Sequence, residues 1–456
     1  MPRFDCSVRR LRRGRLTHFG GFNIIIWKRF NPPQAVARGA SVVRHDARQR
    51  PSLSLSTSSA DPHASTGQEG SGSSDVTHSS YFVALNVFSL LGNTAMGAQP
   101  LIVGALVDLV GLSARQAGFV SAAEMGGFAT GMLALLRFGQ RVRRRTLALA
   151  ALSTIAAANA ASPLAGEFHE ILSLRFVNGF AAAASYSVFL TMAAATRRPE
   201  RTFAIANSVS IFATGLLLFS GPHILLHWHL RGLFLGLAML ALASAVAVCL
   251  IPSETGPAAA RIQAVSQDRP TRGSSSGIAV TLVQLMMLFL YTGHAAIWSY
   301  QERIGVRAGL APHEIGLLIG TSLMVGLLGS ITASVLTLAI GRVWPQVISL
   351  GVSIVAALAL VFTDSSLGFG IASTLIALSW FYGLPYQMGL MAAYDPRGRA
   401  NIAGSLMTTS GAAAGPAMAA ILLGYGGYRV IGVFAGLCYV VALALVLPAA
   451  LRLDRR

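Results

Sequence analysis

From Tyr81 onward the sequence returns repeatedly to apolar runs of about 19–26 residues, divided by short connections that carry charge, glycine or proline. A helix needs about 20 apolar residues to cross the hydrocarbon of a bilayer, and in hydrocarbon only helices and closed barrels satisfy every backbone group internally. Twelve such runs are present, at 82–106, 117–136, 146–165, 171–195, 203–226, 232–252, 277–299, 315–338, 345–363, 367–392, 401–424 and 430–450. The fold class that follows is an all-α membrane protein with twelve transmembrane helices. Composition agrees: 54% of residues are hydrophobic and 11% charged, where a soluble domain carries about 25% charged residues.

The net charge of +18 would suit a nucleic-acid partner if it formed one basic face, but the arginines lie in the N-terminal segment and in the connections between apolar runs. No nucleic acid is expected. Connections after even-numbered spans, with the carboxyl end, hold Arg137, Arg141, Arg143, Arg144, Arg145, Arg197, Arg198, Arg201, Arg261, Arg269, Arg272, Arg342, Arg397, Arg399, Arg452, Arg455 and Arg456. Those on the opposite side hold Arg115, Arg231, Arg303, Arg307 and Arg429, beside Asp108, Glu167, Glu170, Glu302, Glu314 and Asp364. By the positive-inside rule, seventeen arginines against five put both termini in the cytoplasm. Residues 1–79 hold twelve Lys/Arg and five Asp/Glu and end in a Ser/Thr/Gly-rich run, a composition that cannot bury enough apolar surface to fold. They read as a disordered, dispensable extension. Cys6, Cys249 and Cys438 form no spaced cluster, and His223, His227 and His229 fall at the end of the fifth span and in the short connection after it, so neither a disulfide framework nor a metal site is expected.

The chain also repeats itself. Val110-Gly111-Leu112 and Gly118 return as Ala308-Gly309-Leu310 and Gly316, and Arg231 as Arg429, each 198 residues later. The expected organisation is a six-span bundle over 80–252, a cytoplasmic linker over 253–276, a second six-span bundle over 277–450 and a tail over 451–456. Two charges lie inside apolar runs, Glu124 and Arg175. A central arginine costs roughly 2.5–3.5 kcal/mol on insertion scales, so either it snorkels to headgroups or it faces a protein-lined site and meets an anion or a carboxylate. Asn86 and Asn93 lie on one face of the first span, and Gln284, Tyr291, His294 and Trp298 on one face of the seventh, at steps of three, four or seven residues. Such stripes serve either helix packing or a hydrophilic cavity. Trp380, Tyr386 and Gln387 flank Gly383 and Pro385 in span 10, where a kink is expected.

Several of these residues fall into motifs. Arg175, Asn178, Gly179 and the alanines after them fit R-x-x-q/n-G in span 4. Gly411, Gly415 and Pro416 fit g-x-x-x-G-P in span 11, of which span 5 keeps Gly221-Pro222. Arg137, Gly139 and Arg141 fit the end of G-x-L-a-D-R-x-G-R-R, and Gly341-Arg342 repeats part of it, but Leu136 and Leu338 replace its aspartate. In these features the chain resembles the major facilitator superfamily of transporters over about residues 80–450. The resemblance implies a rocker-switch carrier whose spans 1, 4, 7 and 10 line a central cavity. That gives Asn86, Asn93, Arg175, Asn178, Gln284, Tyr291, His294, Trp298, Trp380, Tyr386 and Gln387 as cavity residues, and the glycines, prolines and loop arginines above as gating and packing positions. Its missing loop aspartates put the family's cytoplasmic latch in question.

The function expected is secondary active transport of a small organic solute, aromatic or amphipathic and either anionic or neutral, in the bacterial cytoplasmic (inner) membrane. Glu124 and His294 are the candidates for proton exchange, with Arg175 stabilising the charged form, and a static ion pair is the competing reading. The Gly-Pro signature in span 11 favours efflux over uptake. No cofactor or metal is called for, and a monomer is expected. Two further readings stand beside this one: a transport-inactive membrane sensor or assembly partner, and a membrane-embedded enzyme, which would have only Glu124, Arg175 and His294 to work with.

Overall fold

A computed structural model describes residues 71–138, 142–196, 199–251, 277–394 and 399–455. Residues 1–70 of the expected extension over 1–79, the whole linker over 253–276, and Gly139 and Arg141 lie outside the described residues. Among the described residues every regular element is a helix: α1 Ser71–Gly97, α2 Gln99–Val110, α3 Ala114–Phe138, α4 Arg144–Ala161, α5 Phe168–Ala194, α6 Pro199–Ser244, α7 Gly277–Arg307, α8 Pro312–Leu336, α9 Val343–Phe362, α10 Ser366–Tyr394 and α11 Arg399–Asp454. Short 3-10 turns continue α4 at Ser162–Leu164 and α6 at Ala245–Leu250. The first helix starts at Ser71, within the expected extension over 1–79.

Among the described residues nine helices are long and apolar enough to cross a membrane, and ten if α1 and α2, bent by 48° at their junction, count as one span. Two of the nine, Arg201–Leu250 and Gly404–Asp454, run 50 and 51 residues, roughly 75 Å at 1.5 Å per residue against a hydrocarbon core of about 30 Å. Each is interrupted by non-helical backbone, at His229 and at Gly426–Gly427. These interruptions fall where the sequence puts the connections between spans 5 and 6 and between spans 11 and 12.

Prolines shape the bundle, and their consequences are met by neighbouring helices. Pro100 has no N–H to give the Met96 carbonyl four residues back, which helps bend α1 against α2. The freed carbonyl accepts a hydrogen bond from Trp298 Nε1 of α7 at 2.8 Å. Pro385 likewise frees the Phe381 carbonyl, which accepts from Ser330 Oγ of α8 at 3.2 Å, and α10 runs on as one helix through Pro385. An unpaired carbonyl in hydrocarbon would cost several kcal/mol, so such partners are required rather than decorative.

Close helix contact is set by glycine. A Cβ at Gly127 of α3 would collide with the Phe176 carbonyl, and one at Gly179 of α5 with the Glu124 carbonyl. The backbones of α3 and α5 therefore touch at the level of Glu124 and Arg175. The same packing recurs 198 residues later: Gly131 abuts the Phe180 carbonyl, and Gly329 the Leu378 carbonyl.

At one end the N-terminal and C-terminal halves of the chain are tied by hydrogen bonds: Ser121 Oγ to Ser299 Oγ (3.0 Å), Tyr300 Oη to the Ala114 carbonyl (2.9 Å), and Arg303 to Asp108 (2.6 Å). Gly341, at φ 73°, turns the chain into α9, whose first amides at Arg342 and Val343 donate to the Asp454 carboxylate at 2.9–3.1 Å. That carboxylate comes from the far end of α11.

Trp298→Phe, which strands the Met96 carbonyl, is expected to lower unfolding stability by about 1–3 kcal/mol. In a Pro100→Ala background, where the helix can satisfy that carbonyl itself, the same substitution should cost less. Denaturant unfolding of the four proteins in micelles measures the coupling.

Candidate functional site

Glu124 and Arg175 are both 0% exposed. Snorkelling is thereby excluded: the guanidinium reaches no headgroup, and its charge is met where it lies. Arg175 Nη1 stands 3.5 Å from Glu124 Oε1, and Nη2 donates to Asn159 Oδ1 at 3.1 Å and Ser162 Oγ at 2.9 Å. Glu124 accepts from Asn178 Nδ2 at 2.6 Å on one oxygen and from Gln99 Nε2 at 3.0 Å on the other. Asn159 Nδ2 closes the circuit on Asn178 Oδ1 at 2.9 Å. Phe234 of α6 lies under the guanidinium, 4.8 Å from its carbon.

Six polar side chains from α2, α3, α5 and α4 with its 3-10 extension thus form one sealed cluster. Its geometry follows from local structure. Gln99 opens α2 just after the bend at Ala98, Gly127 and Gly179 bring α3 and α5 together, and Arg175 and Asn178 lie three residues apart on one face of α5. Two polar atoms in the cluster, Arg175 Nε and Gln99 Oε1, have no partner. A void of about 20 Å3 borders Glu124, Asn159, Arg175 and Asn178, enough for about one water molecule.

The remaining expected residues distribute over other places. Tyr291 and His294 of α7 meet Trp380 of α10: the His294 ring stacks on the indole at 3.7 Å, and Tyr291 packs edge-on at 4.9 Å. His294 therefore belongs to an aromatic cluster in the C-terminal half, not to the Glu124 network. Trp298 donates its indole N–H to the Met96 carbonyl. Tyr386 packs with Tyr382 against Ala333 of α8, and Gln387 is buried beside Gly383, so neither joins Trp380. One helical face holds a wider arc than a stripe of spacings suggests. Asn86 and Asn93 bond back to their own helix, to the Phe82 and Ser89 carbonyls, and Gln284 is half-buried on α7. Of the packing positions, Gly411 and Gly415 abut carbonyls of α7, Gly221 abuts Leu101, and Pro222 touches Gly316.

Gln99, Asn159 and Ser162 were not singled out in the sequence. Each is an amide or hydroxyl in an apolar run, the signal by which Asn86 and Asn93 were chosen, but none shares a stripe or a motif.

The packing repeat makes the two halves comparable. The positions 198 residues after Glu124 and Arg175 are Ser322 and Ser373. Ser322 Oγ lies 3.1 Å from Thr374 Oγ1, and Ser373 Oγ accepts from Gln301 Nε2 at 2.9 Å. One half closes this level of the bundle with neutral hydroxyls and an amide, the other with a carboxylate and a guanidinium.

Long apolar helices around a sealed, charged cluster define a multi-pass membrane protein. A family model described as Major Facilitator Superfamily matches residues 81–311, just over half of the 456 residues. The chain belongs to that superfamily and is a transporter, not an enzyme. Among solved structures it is similar to a mutant of the nucleoside transporter NupG (TM-score 0.64, 10% identity, 80% of this chain and 98% of that one). It is also similar to a D-xylose-proton symporter (0.62, 16%, 82% and 97%) and to the xylose transporter XylE from E. coli in an inward-open conformation (0.61, 16%, 80% and 95%). No curated protein matches the sequence significantly.

Arg175→Gln alone leaves the Glu124 carboxylate buried without a countercharge and should cost about 3–5 kcal/mol of unfolding stability. Adding Glu124→Gln removes the stranded charge and should restore part of that loss. Equal instability of single and double variants, read from unfolding midpoints in micelles, would show that the pair is not coupled.

Proposed function

We propose that this protein is a secondary active transporter of a small organic solute that is coupled to protons through Glu124. The observation that carries this reading is the asymmetry between equivalent positions: Ser322 and Ser373 occupy the places that Glu124 and Arg175 hold in the N-terminal half. The fold closes this level without charge in one half, so a buried ion pair is not an architectural requirement of the other. A carboxylate can take up a proton, whereas a serine cannot. Protonation would turn a Glu124 oxygen from acceptor to donor and release Arg175 from its countercharge, which changes the packing of α2 to α5 together. One of the similar structures is described as a proton symporter, which fits such coupling.

In this reading α6 and α11 each cross twice, on either side of His229 and of Gly426–Gly427, and α1 with α2 counts as one span. Twelve spans in two six-span bundles result, with both termini in the cytoplasm of a bacterial inner membrane by the charge rule. The bundles rock about a central site, opening to each side in turn. The hydrogen bonds that α7 donates to Asp108 and Ala114, with the one between Ser299 and Ser121, then close the outer side. Tyr291, His294 and Trp380 offer flat faces to a ring-bearing solute. Because Glu124 already balances Arg175, a neutral solute suits the site better than an anion. The Gly411, Gly415 and Pro416 signature supports efflux.

The test is transport in proteoliposomes with and without an imposed pH gradient. Glu124→Gln is expected to abolish gradient-driven movement of the solute while retaining exchange of solute for solute. Gradient-driven movement at the wild-type rate in Glu124→Gln would remove this residue from coupling, and loss of exchange as well would assign it to solute binding instead.

A further inference from the structure

At the end of the bundle that carries Asp108, a cleft of about 410 Å3 opens between the N-terminal and C-terminal halves of the chain. Its walls come from both, with Leu101 and Ala105 of α2 and Leu218 of α6 facing Ile315 and Ile319 of α8. The volume falls in the range of small-molecule sites, and none of the expected cavity residues lines it. Most of the lining is hydrocarbon. Asp108, Glu302, His223 and His313 border it as well.

The two carboxylates share a single guanidinium. Arg303 Nη1 and Nη2 donate to the two oxygens of Asp108, each at 2.6 Å, and its Nε and Nη2 donate to those of Glu302 at 2.5 and 2.6 Å. With both carboxylates ionised, two negative charges against one positive leave the group one unit negative. The Glu302 side chain is only 14% exposed. Gly104 allows that enclosure, because a Cβ there would strike the Glu302 carboxylate. Each carboxylate oxygen still has a lone pair free to accept a further donor or face a cation.

An apolar cleft with unbalanced negative charge along its wall is complementary to an organic monocation. We infer that it is a binding site for such a ligand, an ammonium-type head against Asp108 and Glu302 with an apolar body between α2, α6 and α8. Because the walls belong to both halves, the occupant holds this end of the bundle closed. That consequence rests on the two-bundle reading. The binding itself does not, and none of these residues touches the Glu124 network.

The probe is benzyltriethylammonium, with benzenesulfonate and benzyl alcohol as anionic and neutral controls, titrated calorimetrically into the full chain in a neutral detergent. Saturable binding of the cation alone is expected. It should weaken by about tenfold or more in Glu302→Gln and in Leu109→Trp, whose indole would fill the mouth of the cleft. Leu109 is 43% exposed, so that variant should fold, which its unfolding temperature without probe verifies. The cation should also raise the yield of a disulfide between Ser121→Cys and Ser299→Cys in a background freed of the native cysteines. Absence of saturable binding, equal binding of benzyl alcohol, or unchanged affinity in both variants would overturn the site. Binding without any gain in disulfide yield would overturn its effect on closure.

Discussion

Hydrocarbon offers no water to a side chain or a carbonyl, so each polar group drawn into this bundle must find its partner in the protein. Glu124 and Arg175 are the most demanding case. Their charges are matched by each other, and their remaining hydrogen bonds come from Gln99, Asn159, Ser162 and Asn178. The helices that supply these groups cannot move independently without stranding one of them. The cluster is therefore a junction of the N-terminal half, and its charge state is felt by four helices at once.

That junction has a route to the other half. Gln99 follows directly on the bend between α1 and α2, and the carbonyl released by Pro100 in that bend is held by Trp298 of α7. A rearrangement around Glu124 would thus act on the segment that α7 grips. On the same helix Trp298 lies four residues beyond His294, which stacks on Trp380. Consecutive contacts thus join the ion pair, the proline bend and the aromatic cluster.

Much of this was legible in the sequence, for identifiable reasons. Apolar runs bounded by arginine and glycine located the helices, and even where α6 and α11 run on, their breaks at His229 and Gly426–Gly427 fall in the expected connections. The two charges inside apolar runs could be expected to meet. What could not be read was the set of neutral partners. Gln99, Asn159 and Ser162 differ from other amides and hydroxyls only in which way they face, and that depends on helix rotation. For the same reason Tyr386 and Gln387, close in sequence to Trp380, turned out to serve a different contact. Arg303 counted only toward topology, because nothing local shows that it is shared by Asp108, 195 residues away, and by its neighbour Glu302. Asp454, which accepts the Arg342 amide, comes from the far end of α11.

The account stands on Glu124 exchanging a proton within its sealed cluster. Infrared difference spectroscopy of the protein in lipid, recorded across a pH titration with isotope-labelled glutamate, observes that carboxyl directly. A protonated carboxylic acid band that appears on acidification in the wild type and is missing in Glu124→Gln is the predicted result. A wild-type spectrum indistinguishable from that of the variant throughout the titration would mean that Glu124 remains a fixed charge, and the coupling assigned to it would be wrong.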